Sequence, residues 1–106
     1  MANTSIIGTE EKFIVHAEPV DGNHVRDENY DFSVKVYSGN KQANIIIPKA
    51  DVLFEDEDSF LITVDTSIIG LGVITIELIA HIPDADFDDD TRTEIARYIT
   101  DTQVIQ

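Results

Sequence analysis

Hydrophobic and polar residues alternate with a period of two in several separate runs along the chain. The clearest stretch is Ser59 to Pro83, SFLITVDTSIIGLGVITIELIAHIP. Phe60, Ile62 and Val64 fall on one face of the first run, and Ile74, Ile76, Leu78, Ala80 and Ile82 on one face of the second, with a turn centred on Gly70 and Gly72 between them. Successive side chains of a strand point to opposite faces, so this pattern predicts strands with one buried face. Asp31 to Ser38 repeats it with Phe32, Val34 and Val36, and Lys12 to Glu18 with Phe13, Val15 and Ala17. Ser38-Gly39-Asn40-Lys41 reads as a tight turn into a returning strand, Gln42 to Ile47, which Pro48 ends because proline donates no ladder hydrogen bond. The expected core is Phe32, Val34, Val36, Phe60, Ile62, Val64, Ile74, Ile76 and Leu78.

Between these runs the chain is polar. Asp21-Gly22 marks a turn, and Lys49 to Asp58 reads as a connection with a small apolar insert, Val52-Leu53-Phe54. The tail from Thr91 fits two descriptions. Thr91-Arg92-Thr93-Glu94 has the form of a helix capping box. The Thr and Ile content and the alternation of Ile95, Arg97 and Ile99 favour a strand. Met1 to Glu11 lacks alternation and is expected to be a flexible N-terminal arm, leaving residues 12–106 as one domain. Short strands separated by turn signals predict an all-β fold, an antiparallel β-sandwich of immunoglobulin-like kind.

Some strand residues are apolar on the parity assigned outward: Ile46, Leu61, Val73 and Ile79. Together with Ile6 and Ile7 of the arm, they are the expected partner-binding residues.

Composition narrows the function further. The 106 residues carry 21 acidic and 7 basic side chains, a net charge of −14. Such a charge repels phosphate backbones and anionic lipid, so neither nucleic acid nor membrane is expected as a partner. No cysteine is present, which excludes disulfides and thiolate chemistry. The N-terminus has no basic stretch followed by an apolar one, and no apolar run approaches the ~20 residues that span a bilayer.

Chemistry-bearing motifs are weak. Asp84, Asp86, Asp88 and Asp90 begin with the spacing of a calcium loop. The glycine at the sixth place and glutamate at the twelfth are replaced by Asp89 and Ile95, so no metal site is assigned. His16, His24 and His81 are scattered without ligand spacing. There is no nucleophile elbow and no glycine-rich phosphate loop. No catalytic or cofactor-binding residue is assigned, and the chain is read as a non-enzyme.

The segments SIIGTEEKF, YDFSVKVYS, SFLITVDTSIIGLGVITIELIAHIPDADF and TRTEI resemble a group of small virion structural proteins encoded by phages and prophages of Bacteroidetes, including crAss-like phages. The most telling piece is Leu61 to Glu94: a strand, Asp65-Thr66-Ser67, Gly70-Leu71-Gly72, a strand, then Ala80-His81-Ile82-Pro83-Asp84-Ala85-Asp86-Phe87 and Arg92-Thr93-Glu94. A looser likeness is to the N-terminal domain of phage baseplate upper proteins. The chain departs from the group after Glu94, where Ala96-Arg97-Tyr98 stands in place of an apolar run and no glycine follows. The resemblance implies a structural role on the head surface, the head fibres or the tail, with other virion proteins and further copies of the chain as partners. The residues by themselves leave two alternatives, a free-standing bacterial binding module and a calcium-dependent adhesion domain.

Overall fold

The computed structural model describes residues 3–106. Eight strands form two sheets: β1 (Asn3–Ile6), β2 (Glu10–His16), β3 (Asp31–Tyr37), β4 (Asn44–Pro48), β5 (Leu53–Phe54), β6 (Ser59–Asp65), β7 (Gly72–Pro83) and β8 (Thr91–Ile105). A 3-10 turn, Lys49–Asp51, precedes β5, and a single helical turn, α1 (Thr66–Ile69), follows β6. One sheet has the order β1-β8-β7-β3-β4 and the other β2-β6-β5. The arrangement is a two-layer β-sandwich.

The inner parities of both sheets meet in the middle, as alternation predicts. All nine expected core residues are buried, and Val15, Ala17, Ala80 and Ile82 join them. Phe32 stacks on Phe60 with ring centroids 5.0 Å apart, and Phe54 meets both edge-on. Thus an aromatic cluster from β3, β5 and β6 ties the two sheets together.

Three local features refine the reading from sequence. First, the two runs around Gly70 and Gly72 belong to different sheets. The chain leaves β6, makes α1 with Asp65 accepting a hydrogen bond from the Ser67 N–H, and enters β7 in the other layer. Second, the connection between β3 and β4 is longer than a tight turn. Asn40 accepts hydrogen bonds from the N–H groups of Ala43 and Gln42, which delays β4 to Asn44. Third, the tail is one 15-residue strand, paired with β7 from Pro83–Thr91 to Gly72–Val104, with an irregularity between Val73 and Thr75.

The expected N-terminal arm is also corrected. Asn3–Ile6 pairs in parallel with Thr102–Ile105, and Ser5 is buried. Behind it, the buried Thr66 hydroxyl accepts from the Gly8 N–H at 2.9 Å and donates to the Thr9 carbonyl at 2.7 Å. The segment lacks hydrophobic alternation because its order comes from backbone and hydroxyl hydrogen bonds, with a single inward residue.

Gly72 is a point of close backbone approach. Its φ is +123°, and a Cβ there would lie 2.7 Å from the Gly39 nitrogen. Gly39 in turn donates its N–H to the Leu71 carbonyl. Gly72→Ala is therefore expected to destabilise by at least the ~1–3 kcal/mol of a strained positive-φ residue. Gly22→Ala, with positive φ but nothing within 4 Å of its Cβ, should be milder. Urea denaturation of the two variants checks the order.

Candidate interaction face

The outer face of the five-stranded sheet is assembled by register. Ile46, Lys35, Glu77 and Arg97 form one row across β4, β3, β7 and β8. The adjacent rows are Pro48–Ser33–Ile79–Ile95 and Asn44–Tyr37–Thr75–Ile99. In the central row Glu77 is almost wholly buried, with Arg97 Nη2 3.6 Å from its carboxylate. The Tyr37 hydroxyl beside it holds the Glu77 carboxyl below its ordinary range, assisted by the charges of Arg97, Lys41 and Lys35. Tyr37 itself is pushed up, first by burial and then by Glu77. Lys35 and Lys41 Nζ lie 5.9 and 5.4 Å from the Tyr37 ring centroid, within cation–π range.

Three of the chain's seven basic residues are thus gathered around one carboxylate, in a protein of net charge −14. Around them stand exposed apolar residues, interspersed with Ser33, Asn44, Thr75 and Thr93. Ile46 and Val73 are exposed, Ile79 is half-buried, and Ile95 and Ile99 are 62% and 73% exposed. Ile6, at the end of β1 beside Ile105, extends the same face, because Ser5 points inward. Four of the six expected partner-binding residues, Ile6, Ile46, Val73 and Ile79, therefore share this surface.

The other two do not. Ile7 follows β1 and donates its N–H to the Ile105 carbonyl. Leu61 lies on the outer face of the three-stranded sheet, in register with Ile14 and Leu53, which are 65% and 67% exposed. Hydrophobic alternation alone did not single out Ile14, Leu53, Ile95 or Ile99 as surface residues. Glu77 carried a usable signal, as the one acid inside the apolar run Val73 to Ile82.

The aspartates after Pro83 serve their own loop. The Asp84 carboxylate accepts from the Asp86 N–H at 3.0 Å and pairs with Arg92 at 3.1 Å, and the Asp84 N–H donates to the Asp90 carbonyl. Asp90 takes a positive φ of 58° in closing the turn. Among the described residues, no group of three or more His, Cys, Asp or Glu side chains is placed to hold a metal ion, so Asp84, Asp86, Asp88 and Asp90 do not converge.

One histidine is coupled to the fold. His24 Nδ1 lies 2.7 Å from Asp58 Oδ1, joining the loop after β2 to the start of β6. This hydrogen bond raises the His24 pKa above 6.5, and the charges of Asp58, Glu57 and Asp27 add to it. The folded state therefore binds the proton more tightly than the unfolded chain. The pair's contribution is complete below the unfolded value near 6.5 and is lost as pH rises through the folded value. The melting temperature should fall across that window, and His24→Gln should flatten the fall. An unchanged profile in the variant would remove this coupling.

No protein-family model, curated protein or solved structure matches the chain. Among the described residues, no helix is long and apolar enough to cross a membrane.

Proposed function

We propose that this protein is a structural component of a bacteriophage particle, an immunoglobulin-like β-sandwich that binds other virion proteins on the head surface, the head fibres or the tail. The observation that carries the binding role is the outer face of the five-stranded sheet. Several exposed large apolar residues gathered on one sheet face favour association, and the Lys35–Glu77–Arg97 row gives the face a fixed polar centre. Interfaces combine such apolar residues with a few Arg anchors, here Arg97, which stands beside the buried Tyr37 and Glu77. The assignment to a virion rests on the resemblance of Leu61 to Glu94 to small phage structural proteins.

The strand order supports the immunoglobulin-like description. One sheet takes the second, sixth and fifth strands, and the other takes the first, eighth, seventh, third and fourth. Immunoglobulin-type sandwiches divide their strands between layers in this Greek-key manner. No cysteine–tryptophan pin is present, and the Phe32–Phe54–Phe60 cluster fills the space between the sheets.

Mass spectrometry of gradient-purified particles of the phage that encodes the chain tests the proposal. Several copies per particle are expected. Abundance in the infected cell with none in purified particles would overturn it.

A further inference from the structure

We propose that two copies of this chain pair antiparallel through the free edge of β8, centred on Ile95, so that two five-stranded sheets join into one of ten. The inference deepens the protein-binding role above and rests on it for its biological meaning, but its geometry stands alone.

The edge is long and bare. β1 covers β8 only from Thr102 to Ile105, so Thr91–Ile99 has no strand beside it among the described residues. Nine residues present ~30 Å of unpaired backbone. Proteins usually shorten, charge, bulge or interrupt such edges. The other exposed edges follow that rule. β4 has five residues and ends in Pro48, β5 has two, and β2 opens with Glu10 and Glu11. The free part of β8 carries Arg92, Glu94 and Arg97, yet it contains no proline, glycine or bulge, and its pairing with β7 is regular from Thr91 to Ile99.

The backbone groups that face outward can be assigned. Asp84 donates its N–H to the Asp90 carbonyl, and Pro83, opposite Thr91, has no N–H to give. The pairs bonded to β7 are therefore the even residues of β8, since bonded and non-bonded pairs alternate. Thr91, Thr93, Ile95, Arg97 and Ile99 turn their N–H and C=O groups to the free edge.

Symmetry selects the occupant. An antiparallel edge is complementary to itself about a two-fold axis. Charge on the strand does not oppose this, because Arg92 is paired with Asp84 and Asp21, and Arg97 with Glu77, within the same chain. Charge restricts the register. Centring the pair on Glu94 opposes two carboxylates, and centring it on Arg97 opposes two guanidinium groups. Centring on Ile95 uses all nine residues. It sets Ile95 against the partner's Ile95, Arg97 against the partner's Thr93, Arg92 against the partner's Tyr98, and Glu94 against the partner's Ala96. The three-stranded layer stops short of this strand. Glu94 and Ala96 are exposed on its inner side, above a cleft of about 460 Å³ bordered by Ala17, Val20 and Tyr30. The second copy has room to enter.

The absence of cysteine makes the test direct. Bonded antiparallel residues have Cα atoms about 5.5 Å apart, within disulfide range. Ile95→Cys should cross-link to its own copy under mild oxidation. Ile99→Cys should not, because it lies about 27 Å from the partner's Ile99 along the strands. In sedimentation equilibrium the unmodified chain should be dimeric at tens of micromolar, roughly, and dimerise more tightly as salt screens the net charge. Ile95→Lys, a change at an exposed position, should be monomeric with unchanged circular dichroism. A monomeric wild type, a dimeric Ile95→Lys, or equal cross-linking through Ile99→Cys would overturn the pairing. A wild-type monomer found in purified particles would overturn only the pairing. A dimer absent from particles would overturn only the virion role.

Discussion

Phe60→Ala should lower the stability of the domain by about 3–5 kcal/mol, the range for emptying a large buried site. Phe60 is 0% exposed, stacks on Phe32 at 5.0 Å and meets Phe54 at 6.1 Å. Its removal takes contacts from three strands in two sheets, and the neighbours cannot all close on one void. Phe60→Leu keeps most of the volume and should cost much less. Chemical denaturation of both variants measures the difference. A Phe60→Ala midpoint equal to wild type would contradict a core centred on these rings.

Removing residues 1–9 is the second large effect. The deletion strips β1 from the edge of β8 and takes away the Ile7–Ile105 hydrogen bond. It also leaves the buried Thr66 hydroxyl without Gly8 and Thr9. At about 1 kcal/mol for each such bond, the loss is roughly 3–5 kcal/mol. Thermal unfolding followed by circular dichroism reads it. A truncated chain that melts like the intact one would show that β1 contributes nothing to the sheet.

The different fates of these two regions in the sequence have one physical cause. Phe60 belongs to a run whose every second residue is apolar, and burial of that parity is a local consequence of the pleat. The same reasoning finds the inward residues of β3 and β7. β1 carries no such pattern, because Asn3-Thr4-Ser5-Ile6 turns only a serine inward. Its pairing spans nearly the whole chain, and no local signal encodes a partner about a hundred residues away. The two-residue strand Leu53–Phe54 is similarly hidden, being too short for periodicity.

The candidate face divides along the same line. Ile46, Val73 and Ile79 were legible as apolar residues on the outward parity. The row of Lys35, Glu77 and Arg97 was not, because each residue comes from a different strand and only the register aligns them. Tyr37 sits on the outward parity of β3 yet is buried, because the packing of its neighbours covers it.

The parallel pairing of β1 with β8 also determines how the domain carries load. Asn3 lies opposite Thr102 and Ile6 opposite Ile105, with both strands running the same way. Tension drawing the chain before Asn3 away from the chain after Ile105 acts along these strands in opposite senses. The hydrogen bonds between them are then sheared together, whereas a hairpin pulled from its open end parts one bond at a time. Rupture under force follows the unfolding barrier and not the equilibrium stability. A domain anchored through both strands would therefore resist stretching along this direction more strongly than across it.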